Sequence, residues 1–328
     1  MKKVDFENKR ILYIGPVYFH YDQHVINKLR EFKALVDTFE IYPHIKSLYF
    51  RLLNKLKSSK LAAFKEKFYS PLLEKKNYDY VLVRTGFQLT ETLLQGLKEN
   101  NPNAKFINFH WDSLTPIYDY THTIKYFDKI YTFDFKDCQT HKELEYLPLF
   151  YLDEYKQHRD KIIATKKKAD LLFIGAWRDM ERVNLVEKTE ELANKNDLHF
   201  SHYLHLSLLD QIRFFRRGIK PKKARSKRLS HKEILQLFST TNTIIDFPSS
   251  FQTGLTMRTF ETLGSGRKLI TTNKNIKSEP FYDPEFIDVI DAKDLVLNVD
   301  FIKKIPSTNM YEKIEDYSID GYVNKLFR

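Results

Sequence analysis

The sequence contains very little cysteine. Cys138 is the only cysteine among 328 residues, so no disulfide can form within the chain and the fold does not need an oxidising compartment. A lone cysteine in a helical pattern is usually a small buried residue, and a nucleophilic thiol is the alternative. The nine glycines are too few for a collagen-like or low-complexity chain.

Long apolar runs are also missing. No run approaches the ~18–20 residues that span a bilayer. Charged residues follow the two N-terminal lysines without the apolar stretch of a secretory leader, so we expect a cytoplasmic protein. Acidic residues are outnumbered, and the formal net charge of +11 predicts an anionic partner such as nucleic acid, a lipid surface or phosphorylated ligands.

Motifs for metals and common cofactors are missing as well. The chain has no HExxH, no cysteine cluster and no Asp-x-Asp pair, and the spacing of Asp134 and Asp137 suits a helix start better than a magnesium site. The loop at residues 15–20 is not GxGxxG, and no P-loop, GxSxG or kinase signature is present. We therefore expect no bound metal and no organic cofactor.

Apolar residues are abundant enough for two cores. They make up 42% of the chain, and a length of 328 residues favours two domains of about 150 residues each. Short apolar strands alternate with helical patterns, which predicts βαβ units around a parallel sheet. The strands predicted in the first half are 10–15, 37–42, 78–84, 105–109, 129–133 and 145–148.

The same pattern restarts in the second half. Residues 169–175 repeat the strand-to-glycine start of residues 11–15. The sequence therefore predicts an α/β protein with two Rossmann-like domains, residues 1–160 and 161–308, a hinge near 158–168 and a terminal helix within 309–328. Ligands bind beyond the carboxyl ends of the strands in such sheets, so two facing domains would enclose one cleft.

Residues 243–273 (TIIDFPSSFQTGLTMRTFETLGSGRKLITTN) are the most informative stretch. They predict a strand, a polar loop, a helix from Thr256 to Leu263 and a second strand at 268–272. A polar loop that leads into a helix N-terminus can bind an anion, because amide groups and the helix dipole point at it. Arginine can hold phosphate oxygens and glutamate can accept from sugar hydroxyls. The candidate donor-binding residues here are Gln252, Thr253, Gly254, Thr256, Arg258 and Glu261, and an exposed Arg258–Glu261 ion pair of little consequence is the alternative.

This segment resembles the donor-binding part of bacterial GT-B glycosyltransferases, most closely a group of capsular and exopolysaccharide enzymes distantly similar to the CgeB type. The resemblance rests on residues 247–249, 252–258, 261–263 and 266–273, with weaker similarity at 110–113, 126–129 and 146–150. It implies two Rossmann-like domains facing a cleft, a C-terminal helix that crosses back to the first domain, and sugar transfer without a metal. The implied substrates are a nucleotide-sugar donor and a surface polysaccharide or lipid-linked glycan acceptor.

The resemblance leaves the stereochemistry of the reaction open. Retaining GT-B enzymes often carry two glutamates eight residues apart across this loop and helix. The residue eight positions before Glu261 is Thr253, so the first glutamate is missing.

Further candidate residues follow other predicted strands. Asp112 comes after the fourth strand and is our first candidate for the catalytic base, with a helix cap as the alternative role for Asp112 or Ser113. His20 is the second catalytic candidate. Arg178 could meet the donor pyrophosphate, unless it pairs with Asp179. Three residues could contact an acceptor or an anion, or only pack in turns and cores: Arg84, His110 and Trp111.

Two segments are strongly basic. Eight of the thirteen residues in 216–228 are Lys or Arg, and we expect a loop there that meets an anion, such as an anionic membrane surface. Residues 44–76 show helical apolar spacing between lysines, which fits a membrane-surface helix or a helix packed on the sheet.

The main alternative function is a non-enzymatic two-domain protein that binds nucleic acid or another polyanion. Aromatic residues do not interrupt 216–228, which disfavours nucleic acid, and the glycine-poor first loop disfavours a dinucleotide-dependent epimerase.

Overall fold

The computed structural model describes residues 4–17, 20–42, 49, 52, 55–56, 59–115, 119–157, 159, 166–249, 251–307 and 309–328. The chain divides into two compact units. The first unit contains Met1–Pro148 together with Ile319–Arg328, and the second contains Leu149–Ser318. Each unit has its own six-stranded sheet.

The first unit is built on the strand order β2-β1-β3-β4-β5-β6, and neighbouring strands are parallel. Its central strands are apolar on both faces, as in Ile11–Ile14, which is expected for a parallel sheet covered on both sides. The elements are β1 (Arg10–Gly15), α1 (His20–Glu31), β2 (Leu35–Glu40), α2 (Lys60–Tyr69), β3 (Tyr80–Arg84), α3 (Glu91–Asn100), β4 (Lys105–His110), β5 (Lys129–Thr132), α4 (Phe135–Thr140), β6 (Glu145–Tyr146) and, from the end of the chain, α12 (Ile319–Leu326).

The second unit has the strand order β12-β11-β10-β7-β8-β9, again parallel. Its core contains Leu171, Phe173, Ile245 and Ile270 from the central strands. The elements are α5 (Asp153–Gln157), β7 (Ala169–Ala176), α6 (Met180–Lys195), β8 (Phe200–His205), α7 (Leu208–Arg216), β9 (Ala224–Arg225), α8 (His231–Ser239), β10 (Thr241–Asp246), α9 (Met257–Gly264), β11 (Lys268–Thr271), β12 (Ile287–Val289), α10 (Val299–Lys303) and α11 (Tyr311–Ile314).

These two parallel sheets confirm the predicted α/β class. The observed division falls after Pro148, whereas we expected it near residue 160. Leu149–Leu152 is buried, and the backbone N–H of Tyr151 donates to Tyr317 O at 3.0 Å, which ties the segment to the second unit. Most of the expected hinge, residues 158 and 160–165, lies outside the described part of the chain.

The C-terminal segment is not one helix, as we had predicted for 309–326. Helix α11 runs into a 3₁₀ turn at Glu315–Tyr317, and α12 starts only at Ile319. Ser318 between them has extended backbone (φ −67°, ψ 162°) and forms an isolated parallel bridge with Tyr151. The pairing with a residue far away in the sequence therefore breaks the helix.

The basic segment 216–228 is not entirely a loop either. It begins at the last residue of α7 and contains β9, which pairs with the end of β8 through Leu204 and Ala224. The Tyr203 hydroxyl also donates to Lys227 O at 2.6 Å. These contacts hold part of the segment along the sheet edge.

The second basic segment, 44–76, is described only in part. Within it, α2 and the 3₁₀ turn Ser70–Glu74 pack into the core of the first unit. Tyr69, the last residue of α2, is buried and its hydroxyl donates to Ile41 O at 2.8 Å, and Leu72 of the turn is fully buried. Leu52 and Leu56 are exposed. The packing alternative holds for residues 60–74, and residues 43–48, 50–51, 53–54 and 57–58 lie outside the described residues.

Local helix signals in the sequence are confirmed. Asp134 is the N-cap of α4 and accepts from Lys136 N at 2.9 Å, which supports a helix start rather than a magnesium site. Ser230 and Glu233 form the predicted capping box of α8. Gly266 adopts the left-handed conformation (φ 70°) two residues after α9, which explains why glycine follows that helix.

Candidate functional site

The strand order of the second sheet reverses between β7 and β10. Chain order runs outward from β7 through β8 and β9 on one side, and from β10 through β11 and β12 on the other. The loops after two such strands separate and leave a crevice at their carboxyl ends, where α/β proteins bind ligands. Arg178 follows β7 and Ser249 follows β10, and Arg178 Nη1 donates to Ser249 Oγ at 2.6 Å. The predicted Arg178 therefore lies at this point.

A second arginine, Arg182, lies one turn into α6. Its Nη1 donates to Ala176 O at 3.2 Å, and it is half-buried. Burial and the nearby positive charge of Arg178 lower the pKa of Arg182. Repulsion between the two guanidinium groups is offset in part by the carboxylates of Asp246 and Asp179, and a bound anion would reduce it further. Asp179 caps α6 by accepting from Arg182 N at 2.9 Å, and no acidic group among the described residues forms an ion pair with Arg178.

Asp246 joins the end of β10 to the start of α9. Its buried carboxylate accepts from the hydroxyls of Thr256 and Thr259. Thr256 is also the N-cap of α9 and accepts from Thr259 N. Burial raises the pKa of Asp246, while the two threonine hydrogen bonds and the charges of Arg258 and Arg182 oppose the rise. The strand end thus fixes the direction of the helix N-terminus.

Arg258 and Glu261 form the ion pair that we had considered, with 2.7 Å between Arg258 Nη1 and Glu261 Oε2. The pair is not an exposed one, because the Glu261 side chain is only 3% exposed. The Arg258 guanidinium also lies 5.2 Å from the centre of the Phe238 ring. Removal of one partner from a buried pair costs about 3–5 kcal/mol, because the other charge stays buried without compensation.

The loop between β10 and α9 is held by two asparagines. Asn273 Nδ2 donates to Thr253 O and to Gly254 O at 3.0 Å, and Asn275 Nδ2 donates to Thr253 O at 3.0 Å. Gln252 Nε2 bonds to Gly254 O at 3.4 Å. These contacts shape a pocket of about 250 Å³, which is lined in part by Asp179, Arg182, Ser249, Gln252, Thr253 and Asn273.

Sequence reasoning missed Arg182, Asn273 and Asp246 as parts of this site. Arg182 had a signal, because it lies in the first turn of a predicted helix that starts just after Arg178. A signal for Asp246 and Thr256 was also present in the sequence. Asp246 is an acid at the end of a predicted strand, and Thr256 is a hydroxyl residue at the start of a predicted helix. Asn273 contacts the loop only through the pairing of β10 with β11.

The first sheet has a comparable reversal between β1 and β3, and Arg84 lies there at the end of β3. It faces Asp22 of α1, with 3.3 Å between Arg84 Nη1 and Asp22 Oδ2. The Tyr13 hydroxyl donates to the other Asp22 oxygen at 2.5 Å. Both charges are buried or nearly so, and burial raises the pKa of Asp22 to about 6. Because Arg84 is already paired inside its own unit, we propose a structural role for it, and the acceptor or anion contact stays a prediction.

Two neighbours of Arg84 pack beside it: Trp111 is half-buried and His110 is in the core. The Arg84 guanidinium lies 4.4 Å from the Trp111 ring centre, and Trp111 Nε1 donates to the Tyr322 hydroxyl at 2.9 Å. His110 is 4% exposed, hydrogen-bonds to Asn108 and stacks on Tyr120 with ring centres 3.5 Å apart. Burial and the charge of Arg84 lower the pKa of His110 well below its usual value, so it is neutral. We therefore correct His110 from an anion contact to a core residue.

Both catalytic candidates are exposed. Asp112 lies two residues after β4, and neither it nor Ser113 caps a described helix: Ser113 Oγ donates to Asp134 Oδ2 at 2.6 Å. His20 is the first residue of α1, and its Nε2 lies 3.2 Å from His24 Nε2. Both roles remain predictions.

Cys138 is half-buried, and burial raises its pKa to about 11. The thiol is therefore protonated at neutral pH, which argues for the structural role over the nucleophile alternative. In the described part of the chain, no group of three or more His, Cys, Asp or Glu side chains is placed to hold a metal ion. Among those same residues, no helix has both the length and the apolar composition needed to cross a membrane.

Comparison with solved structures finds similar folds along the whole chain. An α-glucosyltransferase in complex with UDP and a 13-mer DNA aligns over 96% of this chain and 94% of its own, with a TM-score of 0.59 at 11% identity. UDP-N-acetylglucosamine 2-epimerase from Rickettsia bellii aligns over 98% and 95% (TM-score 0.53, 12% identity). The catalytic domain of starch synthase IV from Arabidopsis thaliana, bound to ADP and acarbose, aligns over 98% and 95% (TM-score 0.51, 11% identity).

No protein-family model matches the sequence, and no curated protein does. At these identities, structural similarity shows the fold alone. It confirms the predicted fold class, since the neighbours have the GT-B architecture of two Rossmann-like domains.

Proposed function

We propose that this protein is a glycosyltransferase that moves a sugar from a nucleotide-sugar donor to a surface polysaccharide or lipid-linked glycan, without a resident metal. The observation that carries the proposal is the pair Arg178 and Arg182 at the reversal point of the second sheet, next to the pocket formed by the loop after β10. The structural neighbours support it: one glycosyltransferase was solved with UDP, and the epimerase is named for a UDP sugar.

In the proposed reaction, the leaving group is a nucleoside diphosphate whose negative charge grows as the sugar departs. Arg178 and Arg182 would meet this charge together with the N-terminus of α9. Such groups are effective because they are already oriented before the charge develops. Thr256 and Asp246 fix the helix start, and Gln252, Thr253 and Gly254 shape the loop beside it. Glu261, with its partner Arg258, is the proposed contact for ribose or sugar hydroxyls.

Asp112 is the proposed base that takes the proton of the acceptor hydroxyl, with His20 as the second candidate. A base must reach that hydroxyl, and both side chains are solvent-exposed in their own unit. Asp112→Asn keeps the shape of the side chain and removes the base. We expect it to lower kcat by about 10²–10⁴-fold without changing nucleotide affinity. An unchanged kcat would remove Asp112 from the mechanism.

The donor site can be tested by thermal unfolding with UDP, GDP, CMP and dTDP compounds. A ligand that binds only the folded state raises the midpoint. Arg178→Gln should abolish most of the shift, while Arg213→Gln should keep it, because Arg213 is an exposed arginine paired with Asp210 on α7. If both variants shift like the wild type, the pocket at the reversal point is not the donor site. Arg258→Ala is the poorer probe, since it leaves Glu261 buried without its partner.

A UDP-sugar epimerase is the rival activity, and the fold similarity to the Rickettsia bellii enzyme favours it. Incubation of each nucleotide sugar with the protein alone separates the two. A transferase leaves the C2 configuration of the sugar intact, whereas an epimerase yields the C2 epimer, which proton NMR detects. Appearance of the epimer would replace glycosyl transfer as the function.

Nucleic acid is the remaining alternative partner for the basic residues. Affinity that depends on many phosphate contacts falls steeply with salt, by about 10³–10⁵ between 50 and 200 mM. We expect DNA binding to disappear at 150 mM salt, with the nucleotide-induced thermal shift retained. Sequence-selective binding that survives 200 mM salt would favour the nucleic-acid function.

We also propose that the protein is cytoplasmic and binds the inner membrane surface through α7 and the basic segment after it. Four large apolar residues of α7 are exposed, each by 50–71%, and their spacing puts them on one side of the helix: Leu208, Leu209, Ile212 and Phe215. Arg216–Arg228 follows directly, with eight basic residues. An apolar helix face beside basic residues suits an anionic bilayer.

Vesicle flotation tests this contact. We expect binding to vesicles with 30% phosphatidylglycerol but not to pure phosphatidylcholine, and the double variant Leu209→Ser/Phe215→Ser should float at least about tenfold less. Leu35→Ser is the control, because Leu35 is similarly exposed in the first unit. Equal flotation of both variants would contradict the proposal, as would a concentration-dependent dimer that buries the α7 face.

A further inference from the structure

A larger pocket lies at the opposite edge of the second sheet, at the amino ends of its strands. It is formed next to Lys167 before β7, Asn242 at the start of β10, and Arg267 before β11. Its volume is about 610 Å³, within the range of about 300–1,000 Å³ typical of small-molecule sites. Strand β10 runs from one edge to the other and is six residues long. At about 3.3 Å per residue, this pocket lies about 20 Å from the donor pocket.

Arg267 is the residue that sets this pocket apart. It is only 5% exposed, and its Nε and Nη2 atoms have no hydrogen-bond partner. Among the residues that the structure describes, no carboxylate forms an ion pair with it. A buried charge without a partner is strongly unfavourable, and natural proteins usually pair it or use it to hold a ligand.

The other charged groups in the pocket wall increase the positive potential. Lys268 Nζ donates to Ile302 O and to Lys304 O at 2.7 Å, and Lys167 Nζ donates to Ser239 O at 3.0 Å. Burial lowers the pKa of each to about 8, and Arg267 adds to the effect on Lys167. One lining residue, Lys304, does pair with a carboxylate: its Nζ lies 3.0 Å from Glu285 Oε1.

Apolar side chains complete the wall. Ile302 is buried, Ile305 is 86% exposed beside it, and Pro306 and Phe286 also line the pocket. A large exposed isoleucine at the mouth of a cationic pocket suits a ligand that has both a charge and an apolar chain. We propose that this pocket binds a phosphorylated amphiphile, with the phosphate on Arg267 and the apolar chain along Ile305 and Pro306.

The test is calorimetric titration of the full chain with farnesyl phosphate below its aggregation threshold, and with pyrophosphate and farnesol as partial ligands. We expect farnesyl phosphate to bind more tightly than pyrophosphate, and farnesol not to bind. Saturating nucleotide should not displace it, because the donor pocket is at the other edge of the sheet. This site does not depend on the proposed transfer activity, so either can fail alone.

Arg267→Met is the decisive variant, because methionine fills the volume of the arginine stem without its charge. We expect it to raise the Kd for farnesyl phosphate by about tenfold or more. Its unfolding midpoint without ligand should also rise, since an unpaired buried charge is gone. Arg213→Met, on α7, is the control and should change neither result.

Three results would overturn the proposal. The first is an unchanged Kd for farnesyl phosphate in Arg267→Met, which would mean that Arg267 does not hold the phosphate. The second is equally tight binding of pyrophosphate, which would leave no role for the apolar wall. A fall in the unfolding midpoint of Arg267→Met would show that the guanidinium is a structural contact.

Discussion

Arg84 and Arg178 occupy equivalent places in the two sheets but have different surroundings. Each lies where the strand order reverses, between β1 and β3 or between β7 and β10. Arg84 is 13% exposed, is paired with buried Asp22 and lies over Trp111. Arg178 is exposed, bonds to the hydroxyl of Ser249 and has a second arginine, Arg182, beside it.

The difference shows how the same position in a fold can be structural or functional. A charge that is already paired inside the protein has little left to offer a ligand, whereas an exposed arginine whose hydrogen bond goes to a neutral hydroxyl stays available to an anion. We therefore propose nucleotide binding at the second reversal point and a structural role for Arg84 at the first. The predictions below separate these roles, from the largest expected effect to the smallest.

Removal of Arg84 should have the largest effect on stability. Arg84→Gln leaves the Asp22 carboxylate buried without its partner, which we expect to cost about 3–5 kcal/mol of unfolding free energy at pH 7.5. Urea unfolding of variant and wild type measures it. The loss should shrink at pH 5, where Asp22 is protonated. A variant as stable as the wild type would mean that the ion pair is not structural.

The buried Asp22 should also make stability depend on pH. Its pKa is about 6 in the folded protein against 3.8 for the ordinary group, so between these values the folded state binds more protons than the unfolded state. The contribution of Asp22 to the free energy of unfolding is therefore greatest below about pH 4. It decreases as the pH rises through about 6, by up to about 3 kcal/mol. Asp22→Asn should lack this part of the profile, as urea unfolding from pH 4 to 7.5 will show. If the stability of the wild type and of Asp22→Asn changed in parallel with pH, the raised pKa of Asp22 would be contradicted.

At the second reversal point, Thr256→Ala should have a moderate effect on stability. It removes the N-cap of α9 and one hydrogen bond to Asp246, which should cost about 1–2 kcal/mol. It should also weaken nucleotide binding, because the helix start loses its fixed direction. Ser230→Ala is the matched control: it removes the cap of α8, so it should cost about as much and leave nucleotide affinity intact.

The smallest effect is expected for Ser249→Ala. The hydroxyl of Ser249 orients Arg178 but is not itself charged, and its loss should weaken nucleotide binding by about threefold to tenfold. Stability should change by less than about 1 kcal/mol. Calorimetry at constant salt measures the affinity. No change in affinity would mean that Arg178 is oriented by other contacts.

Local patterns in the sequence were enough to predict much of the fold. Alternating strands and helices predicted both parallel sheets, and the spacing of Ser230 and Glu233 predicted a helix start. The loop after β10 was predicted together with its helix, because strand, polar loop and capped helix are adjacent in the sequence. Arg178 was proposed as a donor contact from its place two residues after a strand.

What could not be predicted depends on contacts between residues distant in sequence. The pairing of Arg84 with Asp22 arises only when β3 packs beside α1, and the break at Ser318 arises from its bridge to Tyr151. His110 looked like an exposed strand-end residue, but Tyr120 folds back over its ring. The position of Arg267 shows the same limit, since its isolation from carboxylates is a property of the whole pocket.

The most direct test of the account is calorimetric titration of the nucleoside diphosphate that gives the largest thermal shift into the wild type, Arg178→Gln and Arg84→Gln. The last titration is best run at pH 6, where the Arg84 variant is more stable. We predict that Arg178→Gln raises the Kd by at least about tenfold, whereas Arg84→Gln leaves it within about twofold. Unchanged affinity in Arg178→Gln, or a loss confined to Arg84→Gln, would contradict the assignment of the donor site to the second sheet.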